Sequence, residues 1–236
     1  MRIASFNLES LDDAPDAAAP LADRVPILRP QLERLRADVL CLQEVNAQKV
    51  DPARQAPRAF RALDALLAGT PYAGFHRAAT TLQDGRGPLD VHNLVILSRA
   101  PVADRRQHWH DLVPAATYRP VTADPAGAAA AVAWDRPILR ADLPLADGRT
   151  LHVIDVHLRA PLAAFVAGQK AGPFEWRTTA GWAEGFFLAT VKRAGQALEA
   201  RLAVDALLDA DPEALIVVCG DMNAAVNEMP LRLLRA

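Results

Sequence analysis

Three segments of the chain end in side chains that can hold a cation or move a proton. Residues 2–9 read Arg-Ile-Ala-Ser-Phe-Asn-Leu-Glu and deliver Asn7 and Glu9. Residues 38–44 are largely apolar until Gln43 and Glu44, and residues 216–223 run Ile-Val-Val-Cys-Gly-Asp-Met-Asn, closing on Asp221 and Asn223. Side chains two apart on a strand share a face, so Asn7 with Glu9, and Asp221 with Asn223, would each form a two-oxygen shelf. An acid that ends a buried strand is costly unless it meets a cation or a polar substrate. Oxygen donors of this kind suit a hard divalent cation, bound through one or two carboxylates with several waters retained. An ionised carboxylate can also accept a proton from water, while an amide both donates and accepts.

Elements that would carry these residues can be read from periodicity. Strands are expected at 2–9, 38–44, 94–97, 137–143, 151–157 and 216–221, and the turn Ala146-Asp147-Gly148-Arg149 marks 137–157 as a hairpin. Helices are expected at 30–37, with Pro30 in the first turn, at 57–68, stopped by Gly69, and at 191–208, punctuated by Asp211-Pro212. Residues 11–20 read as a surface loop, and 102–131 show no clear period. Strands interleaved with helices give a mixed α/β domain, without choosing between its possible sheet arrangements.

The 236 residues fit one large domain, and the hydrophobic half of the composition supports a substantial core. No apolar run reaches the roughly 18 residues that span a bilayer. The first strand begins so early that a secretory leader has no room, so the expected setting is cytoplasmic. Cys41 and Cys219 lie inside strands and lack zinc-site spacing, which points to buried free thiols. A formal charge of −2 provides no global basic surface, which tilts the substrate away from duplex DNA. His108 and His110 flank Trp109 but lack a third ligand in a clear pattern, and read as a surface loop. Residues 159–190 hold six of the thirteen aromatics and form an insertion, either an apolar lid or partner surface, or a satellite core.

Ser5-Phe6-Asn7, Leu42-Gln43-Glu44-Val45 and Gly220-Asp221-Met222-Asn223-Ala224, in this order, resemble the endonuclease/exonuclease/phosphatase superfamily of metal-dependent phosphoesterases. Asn93-Leu94-Val95-Ile96-Leu97-Ser98-Arg99 and Val153-Ile154-Asp155-Val156-His157-Leu158 are weaker matches between them. The resemblance implies two packed mixed β-sheets flanked by helices, a four-layer α/β/β/α sandwich, spanning residues 1–236. It implies hydrolysis of a phosphate ester, in a nucleic acid or a small phosphorylated molecule, by direct attack of water on phosphorus. Glu44, with Asn7 or Glu9, would hold Mg²⁺, with Mn²⁺ as substitute. Asp221 would activate the water, and Asn223, His157, Asn7 and Asn93 would complete the catalytic group. His157 and Asn93 would touch the substrate phosphate. Ser98-Arg99 would fix a turn, and Arg201 would tie packing together.

The superfamily also carries an Asp-His pair well after its Gly-Asp-x-Asn motif. No histidine follows His157 before Ala236. Three accounts fit: a C-terminally truncated domain, completion by a second chain, or an impaired member acting as a binding or scaffold module. Truncation is the expectation. If another group replaces that histidine, His152, His92, His108 and His110 are the first candidates.

Overall fold

Strand β1 (Ile3–Leu11) leads through helix α1 (Leu21–Leu35) to β2 (Val39–Val45). The short strands β3 (Gln48–Lys49) and β4 (Arg58–Ala59) pair with each other before α2 (Arg61–Leu67), β5 (His76–Ala79), β6 (Asn93–Ser98) and β7 (Asp104–His108). Strands β8 (Thr117–Tyr118) and β9 (Ala130–Ala131) precede the hairpin of β10 (Ile138–Pro144) and β11 (Thr150–His157). Helix α3 (Thr179–Ala210), β12 (Leu215–Asp221) and α4 (Met229–Arg235) follow. This computed structural model describes residues 1–236 except 16, 18, 52, 55 and 56. Among the described residues the fold is α/β, with two four-stranded mixed sheets, two two-stranded ones and four α-helices. Among the described residues, no helix is long and apolar enough to cross a membrane.

Contacts divide the described residues into two units. Met1–Gln107, Arg136–His157 and Asp211–Asp221 make the first; His108–Asp135, Leu158–Ala210 and Met222–Ala236 make the second. The first unit contains a sheet ordered β1-β2-β6-β5 and a second sheet ordered β12-β11-β10-β7. Each has a parallel pair at one edge, β1 with β2 and β11 with β12. Alternation along these strands builds two cores. Phe6, Leu8, Leu40 and Leu42 turn to α1 and α2, packing with Leu32, Leu63 and Leu66. Ile3, Val39 and Cys41 turn the other way and meet Leu139, Ala141, Val153, Val217 and Cys219 of the second sheet.

Helix α1 begins well before residue 30 and contains both Pro26 and Pro30. Leu21, Val25, Leu28, Leu32 and Leu35 form one apolar stripe on the first core, and that burial outweighs the local preference against proline. Helix α2 is shorter than expected, because Arg58 and Ala59 pair with Gln48 and Lys49.

In the second unit, α3 starts twelve residues before residue 191. Thr178 caps it, its hydroxyl accepting the Gly181 N–H at 2.9 Å. Gly181 and Gly185 obscure the helical period there, so Trp182, Phe186 and Phe187 belong to a helix rather than to an irregular insertion. Four of the six aromatics, Phe165, Phe174, Trp182 and Phe187, are exposed, so the segment is not simply a satellite core. The aperiodic stretch before residue 131 is held by side chains of α3. Buried Glu199 accepts N–H bonds from His110 (3.3 Å) and Leu112 (3.1 Å) and the indole N–H of Trp134 (2.6 Å). Glu184 accepts from the Tyr118 hydroxyl (2.8 Å), both Thr122 groups and the Val121 N–H (2.6 Å). A Cβ at Gly195 would come within 2.0 Å of the Trp134 ring, so only glycine lets that indole lie against the helix. Helix α4 carries no signal recognised in the sequence.

Candidate active site

Within the first unit, the inner faces of the two parallel pairs share one gradient. Toward the carboxyl end of each strand, Ile3 gives way to Ser5 and Asn7, and Val39 to Cys41 and Gln43. Val153 gives way to Asp155 and His157, and Val217 to Cys219 and Asp221. The lower part of each row is a dry interface between sheets, and its upper end is polar. Gly220 permits the last step: with φ at +130°, it places its Cα so close to β11 that a Cβ would lie 1.9 Å from the Val156 carbonyl oxygen.

Asn7 ties the polar ends together. Its Nδ2 donates to Glu44 Oε1 at 3.0 Å and to Asp221 Oδ2 at 2.9 Å. The Ser10 hydroxyl donates to the other Glu44 oxygen at 3.1 Å. His157 Nε2 lies 3.6 Å from Glu44 Oε1 and 3.8 Å from Asp221 Oδ2, and His92 Nδ1 lies 3.9 Å from Glu44 Oε2. Strict alternation would send Glu44 toward the helices with Leu40 and Leu42. Instead, its backbone is left-handed (φ 57°) and the β2–β6 register shifts between Leu42 and Val45, which turns the carboxylate into this cluster.

Burial raises the Glu44 carboxyl, but the Asn7 and Ser10 hydrogen bonds and the nearby histidines outweigh it and hold the group below its ordinary value. The His157 ring falls to about 4, first because it is buried and then because the Arg136 guanidinium lies beside it, against the pull of Asp221 and Glu44. Arg136 Nη1 sits against His157 Nδ1 and 3.1 Å from Nε2. A guanidinium has only protons to offer, so the tautomer that suits it leaves the nearer nitrogen, Nδ1, unprotonated and would set the ring proton on Nε2, toward the two carboxylates. Beneath the cluster, desolvation and the neighbouring Cys219 push Asp155 well above the carboxylate range; its Oδ1 accepts from Gln43 at 2.7 Å. Cys41 and Cys219 are free thiols in contact between the sheets.

Asn7, Glu44, His157 and Asp221 are thus brought together, and two other expected residues, Glu9 and Asn93, are placed differently. The Asn7–Glu9 shelf does not form. Glu9 and Ser10 are both left-handed (φ 49° and 54°), so the Glu9 N–H closes onto Asn7 Oδ1 at 2.8 Å. Its side chain lines a cavity of about 260 Å³ with Asp12, Arg24 and Asn46, and Ser10 takes the place beside Glu44. Asn93 is fully buried. Its amide donates to the Val45 and Leu89 carbonyls and its oxygen accepts from Thr80 and Leu89, so it locks β6 to the end of β2 rather than meeting a substrate. Asn223 belongs to the second unit, left-handed at φ 46°, with its amide donating to the Leu158 carbonyl at 2.9 Å.

Of the other histidines, His152 faces Asp142 at 2.8 Å, His108 faces Asp111 at 3.2 Å, and His110 meets the Val113 carbonyl and the Trp134 N–H. His92 alone of these stands beside Glu44. Sequence reasoning did not mark Ser10 or Arg136: both act through backbone turns and approaches that leave no spacing pattern.

Two mixed sheets whose parallel edges end in acids, an amide and a histidine gather groups suited to phosphate-ester chemistry. The chain belongs to the Endonuclease/Exonuclease/phosphatase family, whose model matches residues 4–236. No curated protein matches the sequence. Solved structures share the fold at low identity. A β-hairpin deletion mutant of beta toxin from Staphylococcus aureus superposes with a TM-score of 0.57 at 14% identity, over 99% of this chain and 70% of that one. A mannosyl-6-phosphatase from Bacteroides thetaiotaomicron gives 0.53 at 12%, over 98% and 68%. Truncated TDP2 from Caenorhabditis elegans gives 0.52 at 14%, over 94% of this chain and 61% of that chain.

Proposed function

We propose that the protein is a divalent-metal-dependent phosphoester hydrolase working by direct attack of water on phosphorus. The observation that carries this reading is the single Asn7 amide shared between Glu44 and Asp221, which concentrates two carboxylates at one point. Like charges so placed favour a cation, and the donors are mainly oxygens, which suits Mg²⁺ or Mn²⁺. Glu44 would be the principal ligand, with Asn7 beside it. When bound, the ion would offset charge on the phosphate oxygens and the leaving group.

The chain's own residues divide the remaining work. Asp221, one of its oxygens fixed by Asn7, orients the water and takes its proton. His157, neutral and with its proton on Nε2, donates to a phosphate oxygen as negative charge develops. Arg136 keeps that tautomer by facing Nδ1 with donors only. Asn223, two residues beyond Asp221, would add a further amide. The substrate class is a phosphate ester, either in a nucleic acid or in a small molecule.

Hydrolysis of bis(p-nitrophenyl) phosphate in Mn²⁺ or Mg²⁺ tests the reading. Turnover should require the metal, stop on chelation and disappear in Asp221→Ala. Turnover that survives both treatments would sink it.

A further inference from the structure

We infer that His92 is a nitrogen ligand beside Glu44, so that this cleft selects a first-row transition-metal dication over Mg²⁺. The inference rests on the metal-dependent reading above and adds the class of ion. Glu44, His92 and His157 are the group of described residues whose ligand atoms all lie within 4.8 Å of one another. His157 is already engaged, since the Arg136 guanidinium lies against its Nδ1 and 3.1 Å from its Nε2, where its charge opposes a cation. The pair that can close on one ion is therefore Glu44 Oε2 and His92 Nδ1, 3.9 Å apart. A metal at ordinary bond lengths of about 2.0–2.2 Å from each would bring these atoms only slightly closer.

The placement of His92 is built by its surroundings. The Asn46 side chain accepts the His92 backbone N–H at 3.0 Å, and Asn93, next in the chain, is locked into β6 by four hydrogen bonds to its amide. The ring is 38% exposed as a whole, while its Nδ1 is buried on the side facing Glu44. Its backbone is left-handed (φ 57°), a conformation tolerated by histidine and asparagine better than by most residues. Imidazole binding strengthens from Mn²⁺ up to Cu²⁺ and is still stronger for Zn²⁺ than for Mn²⁺, whereas Mg²⁺ takes oxygen and sheds water reluctantly.

Calorimetric titration of Zn²⁺, Mn²⁺ and Mg²⁺ into wild type, His92→Asn and Glu44→Gln tests the assignment, and asparagine keeps the left-handed turn. His92→Asn should weaken Zn²⁺ at least about tenfold and Mn²⁺ less, leaving Mg²⁺ within about twofold. Electron-spin-echo spectra of bound Mn²⁺ should show nitrogen coupling in wild type that is lost in His92→Asn. Unchanged Zn²⁺ affinity in His92→Asn, or nitrogen coupling that persists there, would overturn the assignment. If Glu44→Gln still weakens every ion, the hydrolase reading survives that loss. If Glu44→Gln also binds as wild type does, the inference and the metal reading fall together.

Discussion

Glu199 is fully buried and Glu44 partly so, yet the donors around them are used in opposite ways. Glu199, fully buried in the second unit, receives two backbone N–H groups and an indole N–H, so its oxygens are committed to organising a loop. Glu44, in the first unit, receives one amide proton that is one of a pair on the same nitrogen, the other going to a second carboxylate, and a hydroxyl. Donors aimed only at one acid make a structural clamp. Donors divided between two acids hold geometry while leaving negative charge in excess. Burial alone therefore does not mark a site; what matters is whether the surrounding donors exhaust the carboxylate.

This contrast can be broken most directly at Glu44. Glu44→Gln should lower turnover of bis(p-nitrophenyl) phosphate about 10²–10³-fold, while the metal-free melting temperature at pH 7 falls by no more than about 2–4 °C, since the groups that hold this carboxyl below its ordinary value favour its ionised form only modestly. A parallel loss of stability would make Glu44 a clamp like Glu199. Glu199→Ala should do the reverse, costing about 3 kcal/mol of unfolding free energy by stranding three buried donors. Urea denaturation measures it, and an unchanged midpoint would refute the clamp.

The smallest effect is expected at Glu184. Burial raises this carboxyl, but hydrogen bonds from Thr122, Val121 and Tyr118 prevail and bring it down to about 2 from the ordinary 4.5. A depressed acid stabilises the fold above its unfolded value and loses that contribution as pH falls toward the folded one. Glu184→Gln should therefore melt roughly 2–4 °C below wild type at pH 7, with the gap closing between pH 4.5 and about 2. Melting curves across that range check the sign; a gap that widens in acid would contradict it.

Much of the first unit's chemistry was legible because a strand has only two faces. The rows from Ile3 to Asn7 and from Val217 to Asp221 could be followed residue by residue to a polar end. The pattern failed wherever the backbone left the strand. Glu9 was lost from the Asn7 face by two left-handed residues, and Asn93 proved saturated, neither of which periodicity encodes. The loops around His110 and Thr122 were unreadable for a different reason: their partners are Glu199 and Glu184, some sixty or more positions away on α3. Helix α1 was shortened by prolines that a tertiary apolar stripe overrides.

The bond between Asn7 and Asp221 joins positions 214 residues apart. At typical rates of chain elongation, Asn7 waits roughly 10–40 s after its own synthesis for that partner. Until β12 arrives, β11 has an open edge and the nascent chain lacks the second carboxylate. The pairing of Asn7 with Asp221 is therefore completed only once β12 has been made, and until then the edge of β11 stays open to other strands.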